Sequence, residues 1–149
     1  MYQNFLHTHV AFSSLFVMVA LFLSINALIS LQRKRPYTRF NRRIEIIFLL
    51  LLYISFFQGI ILFFFLKEHT SELTSYTAAL ENATSRFWAI EHSAVMIFAL
   101  ILAQIGRFFT SQKISDTRKH QYTAFYYGTA TLVTLTSLGF FAADKIFSS

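Results

Sequence analysis

Four long stretches of apolar residues dominate the chain and set its architecture. They run over roughly Phe5–Leu31, Ile44–Leu66, Phe87–Ile105 and Tyr122–Phe141. A helix needs about 20 predominantly apolar residues to cross the hydrocarbon core of a bilayer. The pattern therefore predicts an all-α integral membrane protein, a single domain of four transmembrane helices. The fourth stretch is rich in Thr and Tyr, which suits a helix packed against other helices more than one surrounded by lipid.

The first stretch is expected to remain in the mature protein. No Lys or Arg precedes Gln32, so the basic segment that opens a signal peptide is missing, and the apolar run is longer than a signal-peptide core. The chain also contains no cysteine. This excludes disulfides, thiolate-bound iron–sulfur clusters and covalently attached c-type haem.

The charged residues between the stretches orient the helices. The connection at 32–43 holds six basic residues and no acid, the one at 107–121 holds four basic residues and one acid, and the one at 67–86 holds three acids and two basic residues. Basic connections favour the cytoplasmic side. The first and third connections are therefore predicted to be cytoplasmic, which gives an antiparallel bundle with both termini outside. The same asymmetry explains the net charge of +6, and no nucleic-acid-binding motif accompanies it.

The third stretch carries two ionisable residues, Glu91 and His92. Such side chains are rare in hydrocarbon and are usually functional. Two further histidines, His7 and His9, open the first stretch, so all three histidines lie on the outer side in the predicted topology. One imidazole from each of two helices can ligate the iron of a b-type haem. Because His7 and His9 point about 200° apart on a helix, we expect only the deeper His9 to face the bundle.

Counting residues inward from the basic connections places the histidines at different depths. His92 is 15 residues from Arg107, and His9 is 24 residues from Arg33. At 1.5 Å per residue the mismatch is about 13 Å, which helix tilt would reduce. Gln58 lies at the depth of His92 by the same count. A hydrogen bond between Gln58 and His92, without any cofactor, is therefore an alternative.

The other polar residues also have interpretations that involve no cofactor. The two N-terminal histidines suit the membrane interface, where they would contact head groups and water. His92 suits a buried neutral imidazole bonded to Gln58 or to a Thr of the fourth helix. Glu91 is turned about 100° from His92, so it is expected to be solvated, protonated or paired. Arg86, five positions earlier, is a poorly spaced partner for it.

One pattern of small residues predicts a contact between helices. Ala124 and Gly128 are four positions apart in the fourth stretch, which places them on one face of a helix and permits close approach by a neighbour. Together with Tyr126 and Tyr127, this face is expected to serve packing rather than a quinone site.

Several short segments are similar to those of a known family. In chain order they are His7-Thr8-His9, Gly59-Ile-Ile-Leu-Phe-Phe, Arg86-Phe-Trp-Ala-Ile-Glu-His92, Ile105-Gly106-Arg107, and Lys119-His120 with Tyr127-Gly128. On these segments, which extend over essentially the whole length, the chain resembles a family of small four-helix membrane proteins of Bacteroidetes that are commonly labelled cytochrome b. It departs from the family pattern at Ser93, where members have Pro, and at Tyr53 and Ser55, near which members have His and Gln.

The histidine pattern and the resemblance together imply a small haem-b-type electron-transfer protein or respiratory-complex subunit of the bacterial inner membrane, not catalytic by itself. His9 and His92 would be the axial ligands, with Glu91 and Arg86 near the haem propionates. A membrane quinol or a partner haem would exchange electrons with it. One alternative is a cofactor-free accessory subunit that packs against a larger membrane complex through its Phe-rich second helix. A further alternative is proton or solute conduction through Glu91 and His92.

Overall fold

The residues that the structure describes, 1–63 and 86–147, are helical almost throughout. In this computed structural model α1 spans Tyr2–Gln32 and α2 spans Arg39–Ile61. α3 begins with a π-helical turn at Phe87–Glu91 and continues over His92–Thr110. α4 consists of Asp116–Tyr122, a π-helical turn at Thr123–Tyr127, and Gly128–Phe147. These two ranges contain no β-strand, so the predicted all-α class and the number of helices are confirmed.

The helices extend beyond the apolar stretches at the basic end of the bundle. α2 begins at Arg39, α3 runs to Thr110, and α4 begins at Asp116. Ser115 caps α4, because its hydroxyl accepts a hydrogen bond from the backbone N–H of Arg118 at 3.4 Å. Hydropathy marks the apolar part of a helix, whereas caps and charges near the ends decide where the helix begins. The predicted end of the second helix at residue 66 and the acidic connection lie outside the described residues.

A Schellman motif ends α1 and turns the chain toward α2. Lys34 has a φ of 50°, in the left-handed region. The N–H of Arg35 bonds to the carbonyl of Ser30 at 3.0 Å, and the N–H of Lys34 bonds to that of Leu31 at 3.3 Å. These two bonds satisfy carbonyls that the end of a helix leaves free.

Three helices within the described ranges are long and apolar enough to cross a membrane. They are Gln3–Gln32, Arg39–Ile61 and Phe87–Thr110. α4 is not among them, in keeping with its many Thr and Tyr residues. Large apolar side chains face outward, as shown by Met18 at 67% and Leu50 at 56% exposure. A surface this apolar is costly in water, and it is consistent with a membrane protein.

Small and aromatic side chains fill the centre of the antiparallel bundle. The ring of Phe48 in α2 meets Phe16 of α1 and Tyr127 of α4 edge-on, with centroids 5.0 Å apart in both pairs. Four fully buried alanines let the backbones approach; they are Ala20, Ala99, Ala103 and Ala130. The starts of α1 and α3 lie beside the end of α2, and the start of α2 lies beside the end of α3 and the start of α4.

α3 and α4 approach each other closely at Gly106. A Cβ placed on Gly106 would lie 2.8 Å from Cβ of Tyr126 and 3.0 Å from Cε2 of Tyr127. By contrast, a Cβ placed on Gly128 would meet no described atom within 4 Å. The predicted contact at Gly128 is therefore wrong. The π-helical turn that precedes Gly128 explains the difference, because its wider turn changes the face on which later residues lie.

Candidate functional site

A cavity of about 310 Å³ opens at the end of the bundle where α1 and α3 begin and α2 ends. His9 and His92, the two residues that the sequence singles out as haem ligands, both line it together with Gly59. The other walls are mainly apolar and are formed by Leu6, Ser55, Phe56, Ile60, Leu62, Phe63, Trp88, Ser93 and Met96. The fold thus brings two imidazoles from different helices to one site.

The π-helical turn at the start of α3 and an aromatic group hold His92 at the cavity wall. A π-helical turn places residues five apart on one face, and the hydroxyl of Ser93 accordingly donates to the carbonyl of Trp88 at 3.3 Å. The imidazole of His92 packs against the rings of Trp88 and Phe87, with centroids at 5.1 and 6.0 Å. Phe141 of α4 stacks on Phe87 at 4.1 Å. These contacts restrict the orientation of the ring.

His9 reaches the same cavity beside Gly59 of α2. A Cβ on Gly59 would lie 3.5 Å from Cε1 of His9, at ordinary van der Waals contact, so the ring packs directly against this position. Nδ1 of each of the two histidine rings is buried and has no hydrogen-bond partner among the described residues. Buried polar atoms in an apolar cavity usually have a partner, so the pair is suited to a ligand that binds imidazoles.

Part of the depth mismatch counted from the sequence has a structural explanation, because α3 continues three residues beyond Arg107, to Thr110, which amounts to about 4.5 Å. Arg107 does not lie at the rim of the bundle: its side chain is only 20% exposed and faces Glu45. Arg33, the other reference point, is exposed in the first connection. A count from Arg107 therefore starts inside the bundle and underestimates how far His92 lies from the basic end.

His7 and Gln58 do not line this cavity. His7 is exposed, as expected for the member of the His-x-His pair that faces away from the bundle. Oε1 of Gln58 and Nδ1 of His92 each lack a hydrogen-bond partner among the described residues, so the predicted bond does not form between these atoms. Gly59, the next residue, does line the cavity. Because neighbours on a helix point about 100° apart, the side chain of Gln58 lies on a different face of α2.

Glu91 lies on a different face of α3 from His92. It pairs with Arg86 at 3.6 Å, with side-chain exposures of 57% and 52%. The spacing of five is poor for an α-helix but suits the π-helical turn between the two residues. Glu91 also lines a separate groove of about 510 Å³ between α3 and α4. Neither Glu91 nor Arg86 lines the histidine cavity, so the predicted place of these two beside the haem is not supported.

A second polar site, absent from the sequence-based expectations, lies at the opposite, basic end of the bundle. Glu45 of α2 is fully buried. Its Oε2 accepts a hydrogen bond from the hydroxyl of Thr110 in α3 at 2.8 Å, and its Oε1 accepts one from Thr123 in α4 at 2.7 Å. Nη1 of Arg107 lies 3.6 Å from Oε2. One carboxylate thus joins three helices, and these partners offset the cost of burying its charge.

Two further polar side chains at this end have buried atoms without a hydrogen bond to any described residue. These atoms are Oη of Tyr127 and both ring nitrogens of His120. The hydroxyl of Tyr37 interacts with Glu45 and Thr110, and Nη1 of Arg107 faces Glu45. The rings of Tyr37 and His120 lie 5.5 Å apart, and Nζ of Lys119 is 5.0 Å from the centroid of the Tyr37 ring. Burial, and next the negative charge of Glu45, raise the pKa of Tyr37. Its phenol therefore stays protonated and able to donate at neutral pH.

The sequence contains one signal for this second site. Glu45 lies within the predicted second span, two residues after Arg43. Ionisable side chains in a membrane span are usually functional, so Glu45 is a candidate functional residue for the same reason as Glu91. Thr110 and His120 carry no such signal, because both fall in a connection that the charges place in water. Only the tertiary packing shows that they are 2% and 1% exposed.

Comparison of the chain with protein-family models, with curated proteins and with solved structures finds no match. In the described part of the chain no group of three or more His, Cys, Asp or Glu side chains is placed to hold a metal ion.

Proposed function

We propose that this protein is a small membrane electron-transfer protein, or a respiratory-complex subunit, that holds a b-type haem between α1 and α3. The observation that carries the proposal is that His9 and His92 line one largely apolar cavity. Two imidazoles from facing helices are a suitable ligand set for haem iron. The resemblance to the Bacteroidetes family labelled cytochrome b supports the same function.

The residues around the cavity suit such a group. The chain has no cysteine, so the attachment would be noncovalent, and Gly59 leaves room beside the ring of His9. Mainly apolar walls with a few placed polar groups are typical of sites for cofactors and other small ligands. When bound, the haem would supply one-electron redox chemistry. The chain would bind and orient it through the two imidazoles, and a membrane quinol or a partner haem in a larger complex would exchange electrons.

The visible absorption spectrum of the purified, dithionite-reduced protein tests this function. We expect a b-type α-band in the wild type, its loss in His92→Ala, and its loss or a high-spin spectrum in His9→Ala. His7→Ala is the matched control, because it removes an imidazole two positions from His9 that lies outside the cavity. A wild-type spectrum in all three variants would show that these histidines do not ligate the haem.

A wild-type protein without any b-type band would favour the second candidate, a cofactor-free accessory subunit. Large apolar side chains on the outer face of α2, such as Phe57 at 57% exposure, offer such a subunit a contact surface. Extraction in mild detergent should then yield a particle much larger than the 17.3 kDa chain and its micelle, with other membrane proteins in fixed ratio. Recovery as a lone monomer would contradict the accessory function.

We also propose that the protein spans the bacterial inner membrane with both termini outside the cytoplasm. The two connections at the Glu45 end of the bundle hold most of its basic residues, which favours the cytoplasmic side. A reporter that is active only in the cytoplasm should therefore stay silent when it is fused after Ser149, and should be active when inserted after Lys113. A bright signal from the first fusion would reverse the orientation.

A further inference from the structure

The groove between α3 and α4 that Glu91 lines follows two antiparallel helices and shares no residue with the histidine cavity. Its wall on α3 contains Phe87, Glu91 and Val95, and its wall on α4 includes Leu132, Thr136 and Phe140. Phe87 and Val95 are eight residues apart, so the groove is about 12 Å long. Its volume is about 510 Å³.

The walls of the groove are mainly apolar beyond Glu91. The hydroxyl of Thr136 donates to the carbonyl of Leu132 at 2.7 Å, so the polar atom of Thr136 already has a partner within α4. Phe140 and Leu132 are 74% and 67% exposed on the outer surface of the bundle. An exposed apolar patch of this kind marks a site of interaction with a partner or with the membrane.

An exposed ion pair lies at one end of the groove. Nε of Arg86 is 3.6 Å from Oε1 of Glu91, and the two side chains are 52% and 57% exposed. This distance is longer than a hydrogen bond, and exposed pairs of this kind contribute little to stability. A guanidinium has five N–H donors and a carboxylate about four lone-pair sites. The pair can therefore accept a ligand that carries one charge of each sign.

We propose that the groove and the ion pair bind a phospholipid with a phosphoethanolamine headgroup. Its acyl chain lies in the groove, its phosphate binds Arg86 and its ammonium binds Glu91. A guanidinium matches the geometry of a phosphate, and an ammonium donates charge-assisted hydrogen bonds to a carboxylate. Phosphatidylcholine has no N–H on its nitrogen, and phosphatidylglycerol brings a negative charge to Glu91 without any cation.

The position of the ion pair suits a lipid headgroup. Arg86 and Glu91 lie at the start of α3, at the end of the bundle away from the basic connections. Trp88, in the same turn, is 41% exposed, and Trp is enriched where a membrane meets water. The assignment rests on the proposed membrane location. It is independent of the haem, because the two sites have no residue in common.

Native mass spectrometry of the whole protein, released from an uncharged detergent, tests the proposal. The protein is offered phosphatidylethanolamine, phosphatidylcholine and phosphatidylglycerol with identical acyl chains. We expect the wild type to retain phosphatidylethanolamine about fivefold more than either of the others, the ratio that one exposed ion pair supplies.

Four variants assign the binding to these residues. Glu91→Gln should abolish the preference for phosphatidylethanolamine, and Arg86→Gln should lower the retention of all three lipids, because each has a phosphate. Thr136→Trp should lower retention while the ion pair stays intact, because the indole fills the groove. Asp116→Asn is the matched control: it removes an exposed carboxylate at the opposite end of the bundle and should behave like the wild type.

Equal retention of the three lipids by the wild type would overturn the proposal, and so would a preference that survives Glu91→Gln. If Thr136→Trp leaves lipid retention unchanged but dissociates an oligomer or a complex, the groove binds protein and the lipid assignment is wrong. Recovery of the chain without detergent would refute the membrane location and the lipid together. A missing b-type band, by contrast, would refute the haem and leave the expected lipid retention unchanged.

Discussion

Replacement of Arg107 by leucine is expected to destabilise the bundle by about 3 kcal/mol. Glu45 is fully buried, and Arg107 is the cation that faces it, at 3.6 Å. Leucine removes the positive charge, while the hydroxyls of Thr110 and Thr123 still donate to the carboxylate. Removing one partner of a buried ion pair destabilises a protein by more than the intact pair stabilises it, because the other charge stays buried without compensation. Reversible unfolding in mixed micelles measures the change in the free energy of unfolding.

Two matched variants separate this effect from a general loss of positive charge. Arg118→Leu removes an exposed cation from the same end of the bundle and should change stability by less than about 0.5 kcal/mol. The double variant Glu45→Gln with Arg107→Leu should recover part of the loss, because no charge is then left unpaired. Equal stability of the Arg107→Leu and Arg118→Leu proteins would show that the ion pair does not support the fold.

Replacement of Gly106 by alanine is expected to destabilise the contact between α3 and α4 by about 2 kcal/mol. The new methyl group would lie 2.8 Å from Cβ of Tyr126 and 3.0 Å from Cε2 of Tyr127. Cβ of Tyr126 is fixed to the backbone, so α4 itself has to move. The intrinsic preference of a helix for alanine over glycine, about 1 kcal/mol, acts in the opposite direction. A net loss of stability in Gly106→Ala would therefore show that the clash with Tyr126 and Tyr127 outweighs the helix preference for alanine.

Gly128→Ala and Gly139→Ala are the controls for this prediction. A Cβ at either position would meet no described atom within 4 Å. Both substitutions should keep or raise the thermal unfolding midpoint, whereas Gly106→Ala should lower it. If all three variants unfold at the same temperature, the close approach at Gly106 does not contribute to stability.

The candidate sites were only partly predictable from the sequence. The 100° rotation per residue of a helix allows only one of His7 and His9 to face the bundle, and greater depth favours His9. Of the two, only His9 lines the cavity. The sequence predicts a poor pairing of Glu91 with Arg86, because α-helical spacing does not bring residues five apart together. The π-helical turn at Phe87–Glu91 brings the two side chains together. The local sequence pattern does not predict such a turn.

The sequence by itself determined the four helices, their approximate positions along the chain and the concentration of basic residues at one end. Periodicity and composition carry this information because each helix forms its backbone hydrogen bonds within itself. Only the tertiary structure decided which polar side chains meet. The burial of Glu45 with Thr110 and Thr123 depends on contacts between residues 65 and 78 positions apart. Such contacts follow from how the helices rotate and pack, and that is settled by the fit of whole surfaces rather than by any local pattern.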